Sequence, residues 1–464
     1  MLKKIIAIAI AATALPLAGQ AQSYLGLSSM NYSGVHRLYL NPANAVGRAN
    51  PISISIVGVG QNYDNTYADW NSDKSLLSSI IDGNEIAEEN FAPRGNASNM
   101  FGVGAEVRAL GATFGIGNFI GIGITSRIRS DLQVRDASLD LLEAIRTGLD
   151  DDADRTWQLE QPYTNQTLKF NTQSYGEFGL TVAGKIPIVG EGDEHRLFGG
   201  ATVKYLHAIV GSSINFEELE FEVTDNAGTR ELRLNKVAGT VGYSSANADQ
   251  FDTENPLGEA AGKGVGVDLG MVYERKGDEE GQKYKYRFGL SIMDIGSITY
   301  DSDSSEFYRF SRIDDPNDPS DDLNIDSDEF SNDPIEVIKR EFNAQDLGNS
   351  YTAYLPTTLI LQGDYAVNKM FYVGAIYSRR IRTEDFSVDR GDFLAVIPRF
   401  EVRAVSVSLP VTLKNNLEEF ALGTTLRAGP FYIGADNWLG ALSEGNAARF
   451  NVYTGFSFNI GKPL

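Results

Sequence analysis

The chain has 464 residues, with 40 Lys and Arg against 62 Asp and Glu, for a formal charge of -22. That acidity argues against a nucleic-acid partner, because phosphate neutralisation needs clustered cations. Hydrophobic residues make up 42% and mean hydropathy is -0.21, too polar for a bundle of membrane helices, and the lack of cysteine excludes a disulfide framework or a cysteine-linked lipid anchor.

At the amino terminus Lys3 and Lys4 precede an apolar run from Ile5 to Leu17 and a small-residue ending at Ala21. This pattern predicts a secretory signal over residues 1–21, so the chain is expected to leave the cytoplasm. No later segment has the 18 or so unbroken apolar residues of a membrane helix. Residues 22–51 show no period, yet Tyr24, Leu25, Leu27, Met30, Tyr32, Val35, Leu38, Tyr39 and Leu40 make them too apolar for a solvated tail. The expectation is a plug or hatch folded into the interior of a domain formed by the rest of the chain.

From residue 52 onward the sequence alternates. In Phe450–Ile460, Phe450, Val452, Phe456, Phe458 and Ile460 fall on one face, while Asn451, Tyr453, Gly455, Ser457 and Asn459 fall on the other. The length suits a tilted membrane strand, about 9–11 residues. The same alternation recurs at Val265–Glu274, Tyr284–Ile292, Phe420–Arg427 and Phe431–Asp436. A soluble sandwich would read alike, with the apolar face as its core; the secretory signal favours a membrane barrel, whose apolar face is outside.

In chain order, a strand near Ile52–Gln61 is followed by a polar insert over 62–99. Strands from Met100 and Phe119 flank a Gly117-Asn118 turn. A second insert, 135–172, carries Ala137, Leu141, Leu142, Ile145 and Leu149 at helical spacing, and a strand over Ser174–Ile188 comes next. Short connectors then fall at Gly190–His195, Asp225–Thr229, Lys276–Gln282, Asn368-Lys369 and Gly429-Pro430. Longer ones fall at 244–262, 301–354, 383–392 and 440–449. Alternating tight and long connections predict an all-β, transmembrane antiparallel barrel over 52–464, of about 14 strands or alternatively about 16, with long extracellular loops and both termini periplasmic.

The face opposite the apolar one carries Lys204, Asp268, Lys285, Arg287, Asp364, Arg399, Glu401, Arg403, Arg427 and Asp436. These charges are expected to line the lumen, since they are costly facing lipid. Three roles are open to them: a cross-strand ladder, anchorage of the plug, or a solute path. With Asn41 and Pro42 of the plug, the lumen candidates are Asp268, Arg287, Arg399, Glu401, Arg403, Arg427 and Asp436.

An acidic run supplies Asp314, Asp315, Asn317, Asp318 and Asp322, oxygen donors of the kind Ca²⁺ takes, but no frame has both the Gly and the Glu of an EF-hand. A solvated loop is the simpler reading, and no other cofactor is expected. Catalysis finds little footing. The only histidines are His36, His195 and His207, and neither a G-x-S-x-G turn nor an H-E-x-x-H pair occurs, so an enzyme is not expected.

Tyr32–Val35, Asn41-Pro-Ala43, Gly264–Glu274, Lys285–Gly296, Pro398–Glu401 and Gly429–Gly434 together resemble the Bacteroidota outer-membrane barrels grouped as DUF5723, a family of unknown function. The Asn-Pro-Ala element is also similar to that of the FadL fatty-acid transporters and the secretion barrel PorV. That resemblance implies a lumen-occluding amino-terminal segment. The acidic 301–346 insert departs from FadL, and the Leu464 ending departs from the aromatic final residue of the usual barrel-assembly signal. The expected function is an outer-membrane channel or transporter for a small solute, hydrophobic ones included. The rival is a non-transporting surface or scaffold protein, secretion-associated or adhesion-like, binding a partner through its acidic outer loops.

Overall fold

In a computed structural model the chain is described over residues 24–47, 50–70, 91–93, 100–117, 119–146, 149, 156–187, 194–226, 229–246, 258–313, 334–382, 384, 386–414, 419–438 and 449–461. The expected signal segment 1–21 and the calcium candidates Asp314, Asp315, Asn317, Asp318 and Asp322 lie outside the described residues.

Strands make up 67% of the chain, and 14 of them close an antiparallel barrel. These are β1 Ile52–Asn65, β2 in two pieces (Met100–Arg108 and Gly111–Ile116), β3 Ile120–Arg135, β4 Tyr163–Ile186, β5 His195–Asn226, β6 Gly262–Arg275 and β7 Tyr286–Tyr300. The circuit continues with β8 (Tyr351–Tyr354 and Thr358–Ala366), β9 Phe371–Arg380, β10 Phe393–Glu401, β11 (Val405–Ser408 and Val411–Lys414), β12 (Glu419–Leu422 and Thr424–Ala428), β13 Phe431–Ala435 and β14 Arg449–Ile460. Closure comes from β14 pairing with β1, from Ile52 opposite Ile460 to Asp64 opposite Arg449. Both ends of the circuit therefore lie at the rim that carries the tight turns.

The period-two pattern sorts the side chains as alternation demands. Val265, Leu269, Phe288, Leu290, Ile433, Phe456 and Phe458 stand exposed on the outside, while Asp268, Ser291, Thr425, Tyr432 and Tyr453 are buried within. An apolar belt on a closed sheet, with every strand paired, is the arrangement a bilayer requires. No helix among the described residues is long and apolar enough to cross a membrane.

The loop end is itself folded. Strand β5 runs 32 residues. Its first part pairs with β6, Arg275 opposite His195 through Gly262 opposite Ala208, while Val210–Asn226 pairs with a strand at Thr229–Ser245. That strand pairs with Glu306–Ile313, which pairs with Gln345–Gly348. The short connector Asp225–Thr229 is thus not a periplasmic turn as its length suggests. It is the tip of a hairpin that outruns the barrel, and loop length alone carries no information about which rim a turn occupies. A helix at Leu139–Arg146 packs Leu141 and Leu142, together with Ala137 just before it, against Trp157, Leu168, Leu219, Phe221 and Val223. A second, at Pro334–Glu341, packs Val337 and Ile338 against Val237, Val241 and Phe310.

Candidate functional site: the occupied barrel interior

The interior is filled by residues 24–47. Short turns suit this stretch: a helix at Leu25–Ser29, then 3-10 turns at Gly34–Tyr39 and Pro42–Ala45. The third begins as capping rules direct. The Asn41 side chain accepts from the Ala43 N–H at 3.0 Å, and Pro42 comes next, where a missing donor costs nothing. Asn41 also donates through Nδ2 to the carbonyls of Met271 at 3.0 Å and Leu290 at 3.1 Å, which ties the cap to β6 and β7. Small residues admit this close approach. A Cβ on Gly200 would lie 2.6 Å from Ala43 N, and one on Gly121 2.0 Å from Ala45 O.

The segment is fastened around the circuit by polar groups. Asp436 accepts from the N–H groups of Leu25 and Gly26, both at 2.9 Å, and from the Tyr453 hydroxyl at 2.9 Å. Glu401 accepts from Asn31 N at 2.7 Å and Asn31 Nδ2 at 3.2 Å. Arg287 donates to Asn44 Oδ1 at 2.6 Å, Ser291 to Leu40 O at 2.6 Å, and Asn459 to Tyr32 O at 2.6 Å. Tyr24 stacks on Tyr453 with centroids 4.3 Å apart, and Arg108 lies 3.7 Å above its ring. His36 is fully buried, and a guanidinium can only donate, so Nδ1, 3.0 Å from Arg108, is the acceptor. Burial first, and Arg108 second, hold His36 well below its ordinary pKa, so it is neutral.

A continuous ion network spans β2 to β7. Arg127 makes a two-pronged contact with Glu177 at 3.0 and 2.8 Å and reaches Glu106 at 3.1 Å, which also pairs with Arg108. Arg129 meets Asp294 at 3.2 Å, and Lys204 meets Asp268 at 2.7 Å as well as Asp294. Four buried cations and four carboxylates interlock here, and Arg390, from the connection between β9 and β10, adds a further cation 3.6 Å from Asp294.

Of the sequence-derived candidates, Asn41, Pro42, Asp268, Arg287, Arg399, Glu401, Arg427 and Asp436 all face the interior. Asp268 joins the ion network, and Arg399 bonds Glu401 at 2.6 Å, Tyr284 at 3.0 Å and Asp364. Arg427 caps the tight turns through the carbonyls of Val402, Arg403 and Gly429. Arg403 does not belong with them. It sits in the turn between β10 and β11, where the strand period has ended, and it is exposed, donating to Gly461 O at 3.0 Å. Lys285 is likewise outside, 3.5 Å from Asp278, because the turn preceding β7 shifts the phase and turns Tyr284 inward instead.

Sequence reasoning passed over Glu106, Arg108, Arg127, Arg129, Glu177 and Asp294. The spacing of Arg127-x-Arg129-x-Asp131 was the available signal for the first group. Asp294 was hidden by a bulge: its φ of 58° and the register shift in the β6–β7 pairing bring it inward beside its inward neighbour Met293.

Two spaces remain beside the segment, one between strands β1 to β3 and β7 to β10, the other against β7 to β10 alone. Towards the loop end, an open cleft is floored by Tyr39, Arg127 and Asp294 and walled by Ile360, Ser378 and Arg390. Towards the turn end, a smaller chamber is lined by Arg37, Arg287, Asp364 and Arg399. An apolar cluster that includes Leu25 and Leu40 of the segment and Met293, Ile360, Ile376 and Ile397 of the wall lies in the same sector of the barrel.

A closed membrane β-barrel whose interior is occupied by its own amino-terminal segment is the class these observations define. The chain belongs to the family of unknown function DUF5723, whose pattern it matches over residues 42–436. No curated protein matches it in sequence. Among solved structures it is similar to the toluene transporter TodX of Pseudomonas putida, at 10% identity over 96% of this chain and 100% of that one, TM-score 0.35. It is similar also to the translocator domain of the autotransporter NalP from Neisseria meningitidis, at 8% identity over 89% of both chains, TM-score 0.31. A Pseudomonas aeruginosa FadL homologue matches at 9% identity over 92% of this chain and 94% of that one, TM-score 0.23.

Proposed function

We propose that this protein is an outer-membrane transport barrel, both termini periplasmic, in which residues 24–47 form a gate on the path of a small solute. One observation carries the reading: the lumen is obstructed by a segment held through hydrogen bonds, with unoccupied space on either side of it along one wall. Leu25 and Leu40 lie against Met293, Ile360 and Ile376 in that sector, so a modest movement of the segment would join the two spaces. No catalytic step and no bound cofactor are part of this reading. Deletion of Ser23–Pro51, followed by single-channel recording and uptake of radiolabelled solutes, tests it. Conductance and uptake rise if the segment is a gate; unchanged values for both refute transport.

A second reading is favoured by the folded loop end. The sheet built on β5 carries two apolar clusters of its own, more structure than loops need merely to seal a barrel. In this reading the barrel is an anchor and the sheet binds a surface or secretion partner. Removing residues 211–244 separates the two: solute flux is retained under the first reading and is irrelevant under the second, where partner binding is lost.

A further inference from the structure

The chamber at the turn end is a cavity of about 40 Å³ lined by three guanidinium groups, two of which lack, among the described residues, the carboxylate partner that each cation of the ion network has. In the network every cation meets a carboxylate. In the chamber, Arg399 commits Nε to Glu401 and Nη2 to Tyr284 and Asp364, and its Nη1 is buried with no acceptor. Arg287 donates Nη2 to a neutral amide, Asn44, and among the described residues neither it nor Arg37 has a carboxylate within ion-pair distance. The nearby Glu274 is engaged by Arg196 at 3.4 Å. One acceptor is also left over, because Asp364 Oδ1 is buried without a donor.

Leaving such groups dry and unpaired is costly, so a guest that both accepts from guanidinium groups and donates one hydrogen bond fits the space. We propose that the chamber is a binding site for a protonated phosphate group, its oxygens on Arg37, Arg287 and Arg399 Nη1 and its P–OH on Asp364 Oδ1. Inorganic hydrogen phosphate carries that hydroxyl at neutral pH; sulfate and the dianion of a phosphate monoester do not. Gly374 belongs to the chamber wall, and a Cβ there would lie 2.8 Å from Arg399 Nη1 and crowd that donor. The inference names a solute class for the transport reading and rests on that reading for passage through the membrane, not for binding.

The test is isothermal titration of the full mature barrel in detergent with inorganic phosphate and, separately, sulfate, with heat-dependent gel mobility confirming that each variant is folded. Saturable phosphate binding is expected, with sulfate at least about tenfold weaker, since a site built to pair a hydroxyl rejects the analogue lacking one. Arg37→Gln, which breaks no ion pair, and Gly374→Ala, which removes no charge, should each weaken phosphate by about tenfold or more, the scale of one lost charged hydrogen bond. Absence of saturable phosphate binding, equal affinity for sulfate, or unchanged affinity in both folded variants overturns the proposal. Phosphate binding without any phosphate flux after deletion of the segment refutes transport alone and leaves the site standing.

Discussion

Replacing Asp436 with alanine removes the carboxylate that anchors the start of the lumenal segment. The carboxylate takes two backbone N–H groups from the segment, Leu25 and Gly26, each at 2.9 Å, and both residues are buried. A hydrogen bond to a charged group contributes about 1.5–3 kcal/mol, so the pair holds the segment by roughly 3–6 kcal/mol, a factor of about 10²–10⁴ in its docked to undocked ratio. Asp436→Asn keeps the shape and one acceptor and should lose about half of that. The assay is hydrogen exchange at residues 24–46, read by mass spectrometry, alongside single-channel recording. Exchange in the segment should accelerate by two or more orders of magnitude in the alanine variant while strands β3 to β7 keep their protection, and current flickering should appear. Identical exchange and a silent trace in Asp436→Ala would refute the idea that this carboxylate holds the gate.

Gly121→Val puts a side chain where Ala45 O lies 2.0 Å from the ideal Cβ, against backbone that cannot rotate away; the barrel should fold with its Pro42–Ala45 turn expelled, seen as lost exchange protection over residues 42–46. Leu269→Arg, on the outer belt, should cost roughly 2–4 kcal/mol of refolding free energy in bilayers, the penalty of a cation near the midplane, and no penalty at all would show that this face does not meet lipid. Lys283, in the turn before β7, is pulled down to about 7 by burial above all, with Glu401 opposing and Arg37, Arg427 and Arg399 adding to the shift. Its charging therefore costs folding stability in full below pH 7, and the cost disappears as pH rises from there to the unfolded value near 10.4. Lys283→Met should accordingly melt above the wild type at pH 6, with the gap closing towards pH 10; a gap that does not vary with pH would contradict the burial of this amine. The Tyr32 ring, 3.5 Å from the ammonium, works against the shift and sets how early the gap closes.

Much of the barrel could be read from residues because one physical rule governs nearly every strand. A side chain faces hydrocarbon or it does not, and Phe456, Phe458 and Ile460 alternate with Tyr453, Gly455 and Ser457 accordingly. The rule fails where the strand does. Arg403 and Lys285 lie in or beside turns, so their parity carried no information, and Asp294 is moved across the wall by a bulge. The lumen-facing carboxylates Asp268, Glu401 and Asp436 were legible as inward, yet their partners were not. Asp436 and Leu25 are 411 positions apart, a proximity created by barrel closure and invisible to any local pattern.

The two groups of buried charge also differ in what they can do. In the network on β2 to β7 each cation rests on a carboxylate, so exchanging one member leaves a buried charge short of a partner in a low-dielectric interior, at about 3–5 kcal/mol. It is a brace, and it stiffens one half of the circuit. Next to β7 in the circuit, strands β8 to β10 carry fewer such pairs, and the segment meets them through Glu401, through the apolar contacts of Leu25 and Leu40, and across unoccupied space. Local opening takes the weaker side, since it starts where few contacts must be broken. A segment pinned by Asn41 to β6 and β7, and loosely apposed to the neighbouring β8 to β10, would hinge about the Asn41–Ala45 turn and swing away from β8 to β10. Under the proposed transport reading, that motion would join the cleft and the chamber.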